Sequence, residues 1–307
     1  MLYEQKYGGD HLKKYSKNRL KYKSPYTILI ILLCAALFKF AAPYIENTGE
    51  IEKGILTFHA IDVGQGDSFL FTFPEGSTML VDAGPEDSGP KIVRYLKKTG
   101  VRKIDILVAS HPHSDHIGGM QEVMDNFSIG KVWDSGYNHG SKLQIDFYKR
   151  IKAENIPFGR PKSGFRENID GAVIEFIAPR SGKKGIGSDA NNNSLVFLVK
   201  YGNVSFLMTG DMEKEERMSA GRFPKCTVLK LAHHGSSNGT DRRFLGQTMP
   251  EFAVISYAKG NSYGHPHKET ASAVKKAGIR RFDTADGSFC FRSDGKTVTF
   301  PKDRQVY

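Results

Sequence analysis

The chain has 307 residues, of which 39% are hydrophobic and 25% are charged, and its formal net charge is +11 at pH 7. This length and composition suit a soluble globular body of one large domain or two small ones. The three cysteines are far apart and odd in number, which excludes a disulfide framework or a cysteine-based metal site. The basic excess favours a polyanionic partner or substrate, although solubility alone would also account for it.

The chain begins with a basic segment that is followed by an apolar one. Residues 1–25 hold seven lysines and arginines, and residues 26–45 contain a single charged residue, Lys39. As a helix, the apolar segment would be about 30 Å long, which is close to the hydrocarbon thickness of a bilayer. We predict a cytoplasmic tail over 1–25, an uncleaved transmembrane signal anchor over 26–45 and a polar linker over 46–54. A cleaved signal peptide is the competing interpretation, because the uncharged stretch before Lys39 is short.

From residue 55 onward, strand patterns alternate with helix patterns. The strands expected from β-branched and aromatic runs are ILTFHAI, SFLFTF, TMLVDA, IDILVAS, KVWDSG, AVIEFIAP, SLVFLVKY, VSFLMTGD, CTVLKLAHHGS and FAVISYA. The helices expected from amphipathic patterns are PKIVRYLKKTG, KLQIDFYKRIKAEN, MEKEERMSA and KETASAVKKAG. The last residues before position 300 look like strands joined by Asp-Gly turns. Mixed strands with interleaved helices predict one α/β domain over 55–307, with two sheets covered by helices.

A cluster of metal-ligating side chains follows the apolar strand IDILVAS. Within six positions the sequence places His111, His113, Asp115 and His116. In a loop that leaves a strand, His111 and His113 can converge on one metal ion, while Asp115 and His116 face a second ion. Imidazole and carboxylate ligands suit Zn²⁺, and also Mn²⁺ or iron. The pattern therefore predicts a site for two divalent metal ions, Zn or Mn.

Seven stretches, in order along the chain, resemble the signature of the metallo-β-lactamase fold and, more narrowly, the extracellular hydrolase domain of the ComEC/Rec2 competence proteins. They are IDVGQGDSFL, MLVDAG, SHPHSDHIGG, NNNSLVFLV, FLMTGDME, LKLAHHGS and YGHPH. The resemblance covers nearly all of residues 55–300. It implies a four-layer αββα sandwich that hydrolyses its substrate with two metal ions.

The resemblance also implies roles for two aspartates. Asp82 ends a predicted strand and would orient the histidine loop by contacting it from behind. Asp211, in MTGD, would bridge both metal ions. A local alternative for Asp211 is the N-cap of the helix that MEKEERMSA predicts.

The sequence departs from the family pattern at one place. The family's third histidine for the first metal is expected between residues 170 and 200, where no histidine occurs. The segment NNNS occupies that position, and we assign Asn193 a supporting role there. The segment HHGS offers His233 or His234 as the replacement ligand. We assign His233 to the metal and expect His234 to face the substrate as a catalytic residue.

The remaining assignments lie in three of the matched stretches. His265 is expected to complete the second metal site, and His267 to cap a helix or contact substrate, with it or His234 protonating the leaving group. Gln65 and Asp67 are expected to contact substrate or to support the site, with a structural hairpin as the alternative. Ser236 is expected to donate to a substrate phosphate, or to belong to a loop only. His59 and His139 lie outside the metal-ligand motifs and receive no role.

The function implied is that of a metal-dependent hydrolase in which Asp115 is essential both as a ligand and for catalysis. The leading hypothesis is a membrane-anchored phosphodiesterase, acting as a nuclease on DNA outside the cell membrane. One alternative is cleavage of envelope phosphodiesters, such as teichoic acid or phosphocholine esters. Another is a non-catalytic, metal-stabilised partner of a DNA-uptake complex. Phosphodiesters and the membrane are thus the expected partners, and no protein partner is identified.

Overall fold

The structure is a computed structural model, and it describes residues 51–180 and 190–300 together with Ile30. The predicted tail lies outside the described residues, and so does the predicted anchor apart from Ile30. Among the residues that are described, none of the helices is long and apolar enough to cross a bilayer. The anchor and its orientation therefore stay predictions.

The elements follow one another in an alternating order. The strands of the described ranges are β1 (Leu56–Ala60), β2 (Phe69–Thr72), β3 (Thr78–Val81), β4 (Ile104–Ala109), β5 (Ile129–Asp134), β6 (Phe158–Gly159), β7 (Arg166–Ile169), β8 (Ala172–Ala178), β9 (Val196–Tyr201), β10 (Val204–Met208), β11 (Val228–Lys230), β12 (Phe252–Ile255), β13 (Arg280–Asp283), β14 (Phe289–Ser293) and β15 (Val298–Thr299). The α-helices are α1 (Gly89–Lys98), α2 (Ser114–Ile117), α3 (Met120–Asn126), α4 (Lys142–Ala153), α5 (Lys214–Ala220), α6 (Arg242–Thr248) and α7 (Lys268–Lys276).

The strands form two sheets. The first has the order β15-β14-β1-β2-β3-β4-β5-β6, and the second has the order β13-β12-β11-β10-β9-β8-β7. In the first sheet, the neighbouring strands from β15 through β14, β1 and β2 to β3 pair antiparallel. Strands β3, β4, β5 and β6 of the same sheet run parallel. In the second sheet, β10, β11, β12 and β13 run parallel. Because neighbouring parallel strands end at the same edge, each sheet gathers its strand ends on one side.

Three apolar cores hold these layers together. The central core lies between the two sheets and is rich in phenylalanines, among them Phe58, Phe71 and Phe206. A second core packs α1, α3 and α4 against the first sheet, and a third packs α5, α6 and α7 against the second sheet. Alternation along β8 places Ile174 and Phe176 in the central core and leaves Val173 exposed, as expected for a strand with two different faces. The arrangement is the predicted αββα sandwich.

Some element boundaries differ from the sequence-based expectation. The run CTVLKLAHHGS looked like one long strand, but β11 ends at Lys230 and a 3-10 turn spans His233–Gly235. His233 and His234 both have positive φ angles, of 50° and 52°, and this backbone conformation ends the extended strand. Helix α6, which Asp241 caps by accepting a hydrogen bond from Phe244 N, was missed.

Candidate metal centre

Strands β3 and β4 bring Asp82 and the histidine loop to the same sheet edge. Asp82 follows β3 directly, with a φ of 58°, a left-handed conformation that a short polar side chain tolerates. Its carboxylate accepts hydrogen bonds from the backbone nitrogen of Ser110, at 2.8 Å, and from Ser110 Oγ, at 2.6 Å. The Nδ1 atom of His116 lies 2.8 Å from Asp82 Oδ2. Asp82 therefore contacts both the loop and one of its imidazoles, and the orienting role that the resemblance implied stays a prediction.

Four side chains from both sheets meet in what we call the metal cluster, defined as Asp115, His116, Asp211 and His234. One ligand atom from each lies within 4.8 Å of the others. The Nε2 atoms of His116 and His234 each lie 3.3 Å from Asp211 Oδ2. His234 Nε2 is also 3.3 Å from Asp115 Oδ2. Two carboxylates and two imidazoles therefore point at one small volume.

The hydrogen bonding of the two imidazoles in this cluster fits a metal ion. The Nε2 atoms of His116 and His234 are buried and have no hydrogen-bond partner among the described residues. Buried polar atoms normally have a partner, so these two nitrogens are suited to bind a cation. The opposite nitrogens are engaged, because His116 Nδ1 contacts Asp82 and His234 Nδ1 lies 2.8 Å from Ser256 O. Metal-bound histidines are typically oriented in this way.

Electrostatics in the metal cluster oppose the effect of burial. Burial alone would lower the pKa of His116, but the charges of Asp211, Asp115 and Asp82 outweigh it and raise that pKa well above 6.5. The pKa of His234 is likewise raised against burial by Asp211 and neighbouring carboxylates. In the metal-free protein these imidazoles therefore hold protons, which a bound metal ion must displace.

A second pair of imidazoles, those of His111 and His113, lies beside the metal cluster, with the ring centroid of His111 4.0 Å from that of His116. His111 Nε2 is 3.9 Å from Asp211 Oδ2 and 3.0 Å from His113 Nδ1. Burial lowers the pKa of His111 well below 6.5, so its imidazole is neutral, the form that binds a metal ion. Asp211 Oδ2 thus lies 3.3 to 3.9 Å from the Nε2 atoms of His116, His234 and His111. The bridging role that the resemblance implied for Asp211 stays a prediction.

The structure changes the expected roles of the two histidines in HHGS. His234 was expected to face the substrate, and it does line the cavity, but its side chain is only 2% exposed and its Nε2 also belongs to the metal cluster. The side chain of His233 is 26% exposed, with Nε2 3.8 Å from Asp211 Oδ2 and Nδ1 3.4 Å from Glu213 Oε1. The two left-handed backbone conformations turn the side chains to different sides. The geometry favours His234 as a ligand beside Asp115, and ligation by His233 stays a prediction.

The segment that replaces the family's third histidine approaches the site through Asn191 rather than Asn193. Asn191 lines the cavity above the metal cluster, and its Nδ2 donates to Glu213 Oε1 at 3.0 Å. Asn193 is buried in the same 3-10 turn and does not line that cavity. Glu213 therefore contacts both Asn191 and His233. Neither Asn191 nor Glu213 was identified from the sequence. The two residues come together because the start of β9 pairs with the end of β10.

The turn GQGD supports the site from behind and contributes one wall residue. Gln65 lines the cavity, and its Oε1 accepts from Ala258 N at 3.3 Å. Asp67 was expected to contact substrate or to support the site, and the second alternative fits its position, because it is 1% exposed and does not line the cavity. Gly66 has a φ of 147°, and a Cβ atom there would lie 2.4 Å from Asp115 O. Only glycine allows this turn to approach the histidine loop so closely.

The other predicted site residues are less central. His265 lines the cavity, with its ring centroid 5.3 Å from His233 and 6.0 Å from His234, but it lies outside the metal cluster. Ser236 is buried and its Oγ accepts from Asn238 N, which makes it a turn residue rather than a phosphate donor. His267 precedes α7, and its Nδ1 lies 3.0 Å from Ser237 Oγ. His267 does not line the cavity, which argues against its predicted catalytic role.

A cavity of about 500 Å³ opens above the metal cluster. Its wall includes His139, which received no role from the sequence and whose ring centroid is 5.6 Å from that of His113. Tyr263, also missed, is 65% exposed and stacks on His265 with ring centroids 5.7 Å apart. Both residues lie in loops without a periodic pattern, and the nearby HPHSDH and YGHPH motifs gave the only signal. The cavity provides polar walls over a candidate metal site.

Comparisons with known proteins agree with this geometry. The sequence profile of the metallo-beta-lactamase superfamily matches residues 61–259. ComE operon protein 3 of Bacillus subtilis (strain 168) is 28% identical over 88% of this chain and 36% of its own length. Competence protein ComA of Neisseria gonorrhoeae is 31% identical over 85% of this chain and 38% of its own length. The chain thus spans less than two-fifths of the length of these relatives.

Among solved structures, CmlA, a diiron beta-hydroxylase from Streptomyces venezuelae, superposes with a TM-score of 0.52. The match covers 82% of this chain and 55% of that chain at 14% sequence identity, so it supports the fold alone. The profile match, in contrast, includes the histidine loop, Asp211 and His234. Because that match covers more than half of the sequence, this chain belongs to the metallo-beta-lactamase superfamily, as a hydrolase-fold relative of the competence proteins.

Proposed function

We propose that this protein is a metal-dependent phosphodiesterase that cleaves DNA on the outer side of a membrane. The observation that carries the proposal is the metal cluster, where two buried imidazole nitrogens without hydrogen-bond partners face a shared carboxylate below an open cavity. The name of one relative, competence protein ComA of Neisseria gonorrhoeae, supports nucleic acid as the substrate class. Residues 1–25 account for +5 of the net charge of +11, and the basic excess that remains on the rest of the chain supports attraction of the catalytic body to a polyanion.

Different residues of the chain would have different roles at such a site. When bound, two divalent ions would polarise the phosphodiester and neutralise its charge. Asp211 and the histidines around it would hold the ions, while Asp82 and Ser256 keep the imidazoles of His116 and His234 in place. Asp115, whose side chain is 32% exposed, belongs to the metal cluster and also faces the cavity, so it combines both predicted roles.

The cavity walls would bind and orient the substrate. Gln65 and His139 offer hydrogen-bonding groups, and Tyr263 offers an exposed aromatic face on which a base can stack. Burial, with the charge of His233 as the next cause, lowers the pKa of His265 to about 4. At neutral pH the imidazole of His265 is therefore uncharged. It can donate or accept a hydrogen bond at the cavity wall without repelling a bound metal ion.

We further propose that residues 26–45 anchor this domain, with residues 1–25 in the cytoplasm and the catalytic body outside. The basic flank before the apolar segment supports this orientation. Protease added to cells stripped of their wall should then degrade the body but spare a tag at the N-terminus. Protection of the body from that protease would contradict the orientation.

The activity test uses the full-length chain in detergent, freed of metal and reconstituted with Mn²⁺ or Zn²⁺. We expect cleavage of DNA and of bis(p-nitrophenyl) phosphate that requires the metal and is lost in Asp211→Asn. Asp105→Asn is the matched control, because Asp105 lies at the opposite end of β4 from the histidine loop and hydrogen-bonds Thr78. Metal binding without turnover of any ester would favour a non-catalytic partner instead. Turnover confined to a phosphocholine ester would favour an envelope substrate.

A further inference from the structure

A lysine is buried directly behind the metal cluster. Lys230 is the last residue of β11, and its side chain is fully buried. An ammonium ion is costly to remove from water unless its charge and its donors are matched. The neighbours of Lys230 in an apolar strand would favour a leucine or valine at this position. The presence of a lysine therefore calls for a role that an apolar side chain could not perform.

The ammonium group of Lys230 has three oxygen neighbours. Its Nζ lies 2.5 Å from Asp67 Oδ2 and 3.6 Å from Asp211 Oδ1, and it donates to Gly210 O at 2.8 Å. Two of these oxygens are within hydrogen-bond distance of the ammonium group, and the third, Asp211 Oδ1, interacts with it by charge only. Asp67 supplies the close counter-charge, whereas the contact to Asp211 is longer and is directed at one oxygen only.

The two oxygens of Asp211 consequently face different groups. Oδ2 faces the imidazoles, at 3.3 Å from both His116 and His234. Oδ1 faces away from them toward Lys230 and has no hydrogen-bond partner among the described residues. A carboxylate without a neighbour on one side could rotate and exchange its oxygens. The charge of Lys230 opposes this rotation, because it attracts Oδ1.

The turn that carries Asp67 connects this lysine to the rest of the site. The backbone nitrogen of Asp67 donates to Asp115 O at 3.1 Å, and its Oδ1 lies 3.4 Å from His234 Nδ1. Asp67 is thus fixed by the same loop that supplies the ligands. A lysine paired with Asp67 is thereby held at a defined distance from Asp211.

We propose that Lys230 is a positioning residue, which with Asp67 as its counter-charge orients Asp211 so that a single oxygen, Oδ2, is presented to both metal ions. The proposal rests on the metal-dependent function proposed above, but it is tested by metal binding without any substrate. An ordinary buried ion pair is the competing explanation. The two differ in what happens when both charges of the pair are removed together.

The experiment compares Lys230→Met, Asp67→Asn and the double variant in the full-length chain. The urea midpoint of the metal-free protein and the Mn²⁺ affinity by equilibrium dialysis are measured for each. Each single variant leaves an unpaired buried charge and should lower the midpoint. The double variant contains no unpaired charge of this pair and should recover most of the midpoint. It should nevertheless bind Mn²⁺ at least about tenfold more weakly than the wild type, as expected for lost support of a ligand.

Recovery of both the midpoint and the Mn²⁺ affinity in the double variant would overturn the proposal. Leu96→Ala is the control for lost stability, because Leu96 is fully buried in the core between α1 and the first sheet. It should lower the midpoint while Mn²⁺ affinity is unchanged. Where Lys230→Met does not fold, Lys230→Gln replaces it, alone and with Asp67→Asn, with the same expected results. Failure of the wild type to cleave any ester would contradict the proposed function but would leave this measurement intact.

Discussion

Two regions of the protein bury histidines, with opposite electrostatic results. One is the metal cluster, and the other is the His59 cluster, defined as Thr57, His59, Thr72, Tyr95 and Cys290. In the His59 cluster, Nε2 of His59 lies 3.0 Å from Thr57 Oγ1, and Nδ1 lies 3.0 Å from Tyr95 OH. Both ring nitrogens therefore have neutral partners. In the metal cluster, each imidazole has one engaged nitrogen and one nitrogen without a hydrogen-bond partner.

The comparison shows that neighbouring carboxylates, rather than the degree of burial, distinguish the imidazoles of His116 and His234 from that of His59. Burial, assisted by the charge of Arg292, lowers the pKa of His59 to about 4. The same burial acts on His116 and His234, yet the carboxylates around them raise the pKa of both well above 6.5. A divalent cation can take the place of those protons, whereas His59 offers no comparable site.

The largest expected effect comes from removing the shared carboxylate, which would make the metal cluster resemble the His59 cluster. Asp211→Asn keeps the size of the side chain but removes the charge that His116, His234 and His111 face. We expect loss of both metal ions, because a dinuclear site needs its bridging charge. Phosphodiester turnover should fall by more than about 100-fold, beyond the effect of removing an outer contact. Elemental analysis and steady-state kinetics would measure the two losses.

The Asp105→Asn control should keep both metal and turnover. Full metal occupancy in Asp211→Asn would show that Asp211 is not the shared ligand. In that case the charge of Asp211 would serve only the stability of the cluster.

A smaller loss of metal is expected when a histidine of the metal cluster is removed, and no loss when a histidine outside it is removed. His234→Ala should remove one metal ion, because its Nε2 lies 3.3 Å from both Asp115 Oδ2 and Asp211 Oδ2. His267→Ala should keep both ions, since His267 contacts Ser237 outside the cavity. Metal titration of the two variants would measure this difference. Equal metal loss in both would mean that the loop before α7 moves toward the site when metal binds.

The part of the site that lies within one motif could be predicted from the sequence. His111, His113, Asp115 and His116 follow a buried strand at short spacing, so their proximity is a local property of the chain. Asp82 was predicted through the family resemblance, and its contacts to the loop agree. The two sheets and most helices could likewise be predicted, because the apolar patterns of the strands and helices are regular.

The rest depends on tertiary structure that no local pattern encodes. His233 and His234 are adjacent, and their left-handed backbone angles decide which side chain turns inward. Lys230 looked like an ordinary strand residue, although its charge is fully buried between two aspartates that are distant in sequence. His139 reaches the cavity from a loop whose backbone amide donates to Gln144 Oε1. Such placements result from long-range packing.

Acid should affect the His59 cluster in a way that can be separated from the metal cluster. The folded-state pKa of His59 lies near 4, below its unfolded value of 6.5, so its neutral form stabilises the fold fully above pH 6.5. That stability is lost as pH falls from 6.5 toward 4, and the loss amounts to about 3 kcal/mol. The histidines of the metal cluster have the opposite effect. Because their pKa values are raised in the folded state, they stabilise the metal-free protein below pH 6.5, and this stabilisation is lost as the pH rises.

Urea unfolding of the metal-free protein at pH 7 and pH 4.5 would measure this effect. His59→Gln retains hydrogen-bonding groups but cannot titrate, so its stability should fall less than that of the wild type over this interval. Parallel losses in both proteins would show that His59 is already protonated in the folded state. The contrast between the lowered pKa of His59 and the raised pKa values in the metal cluster would then not hold.

The smallest expected effect concerns the side of the site that lacks the family's third histidine. Glu213 contacts both groups there, with Oε1 3.0 Å from Asn191 Nδ2 and 3.4 Å from His233 Nδ1. A carboxylate behind an imidazole orients the ring and strengthens it as a ligand. Glu213→Gln keeps the shape but removes the charge, so the more weakly bound metal ion should bind about tenfold more weakly while the other is unaffected. Glu215→Gln is the matched control, because Glu215 lies in the first turn of the helix that Glu213 precedes and accepts from Asn192 at 3.4 Å. If isothermal titration shows the same two metal affinities in both variants, Glu213 does not support His233 as a metal ligand.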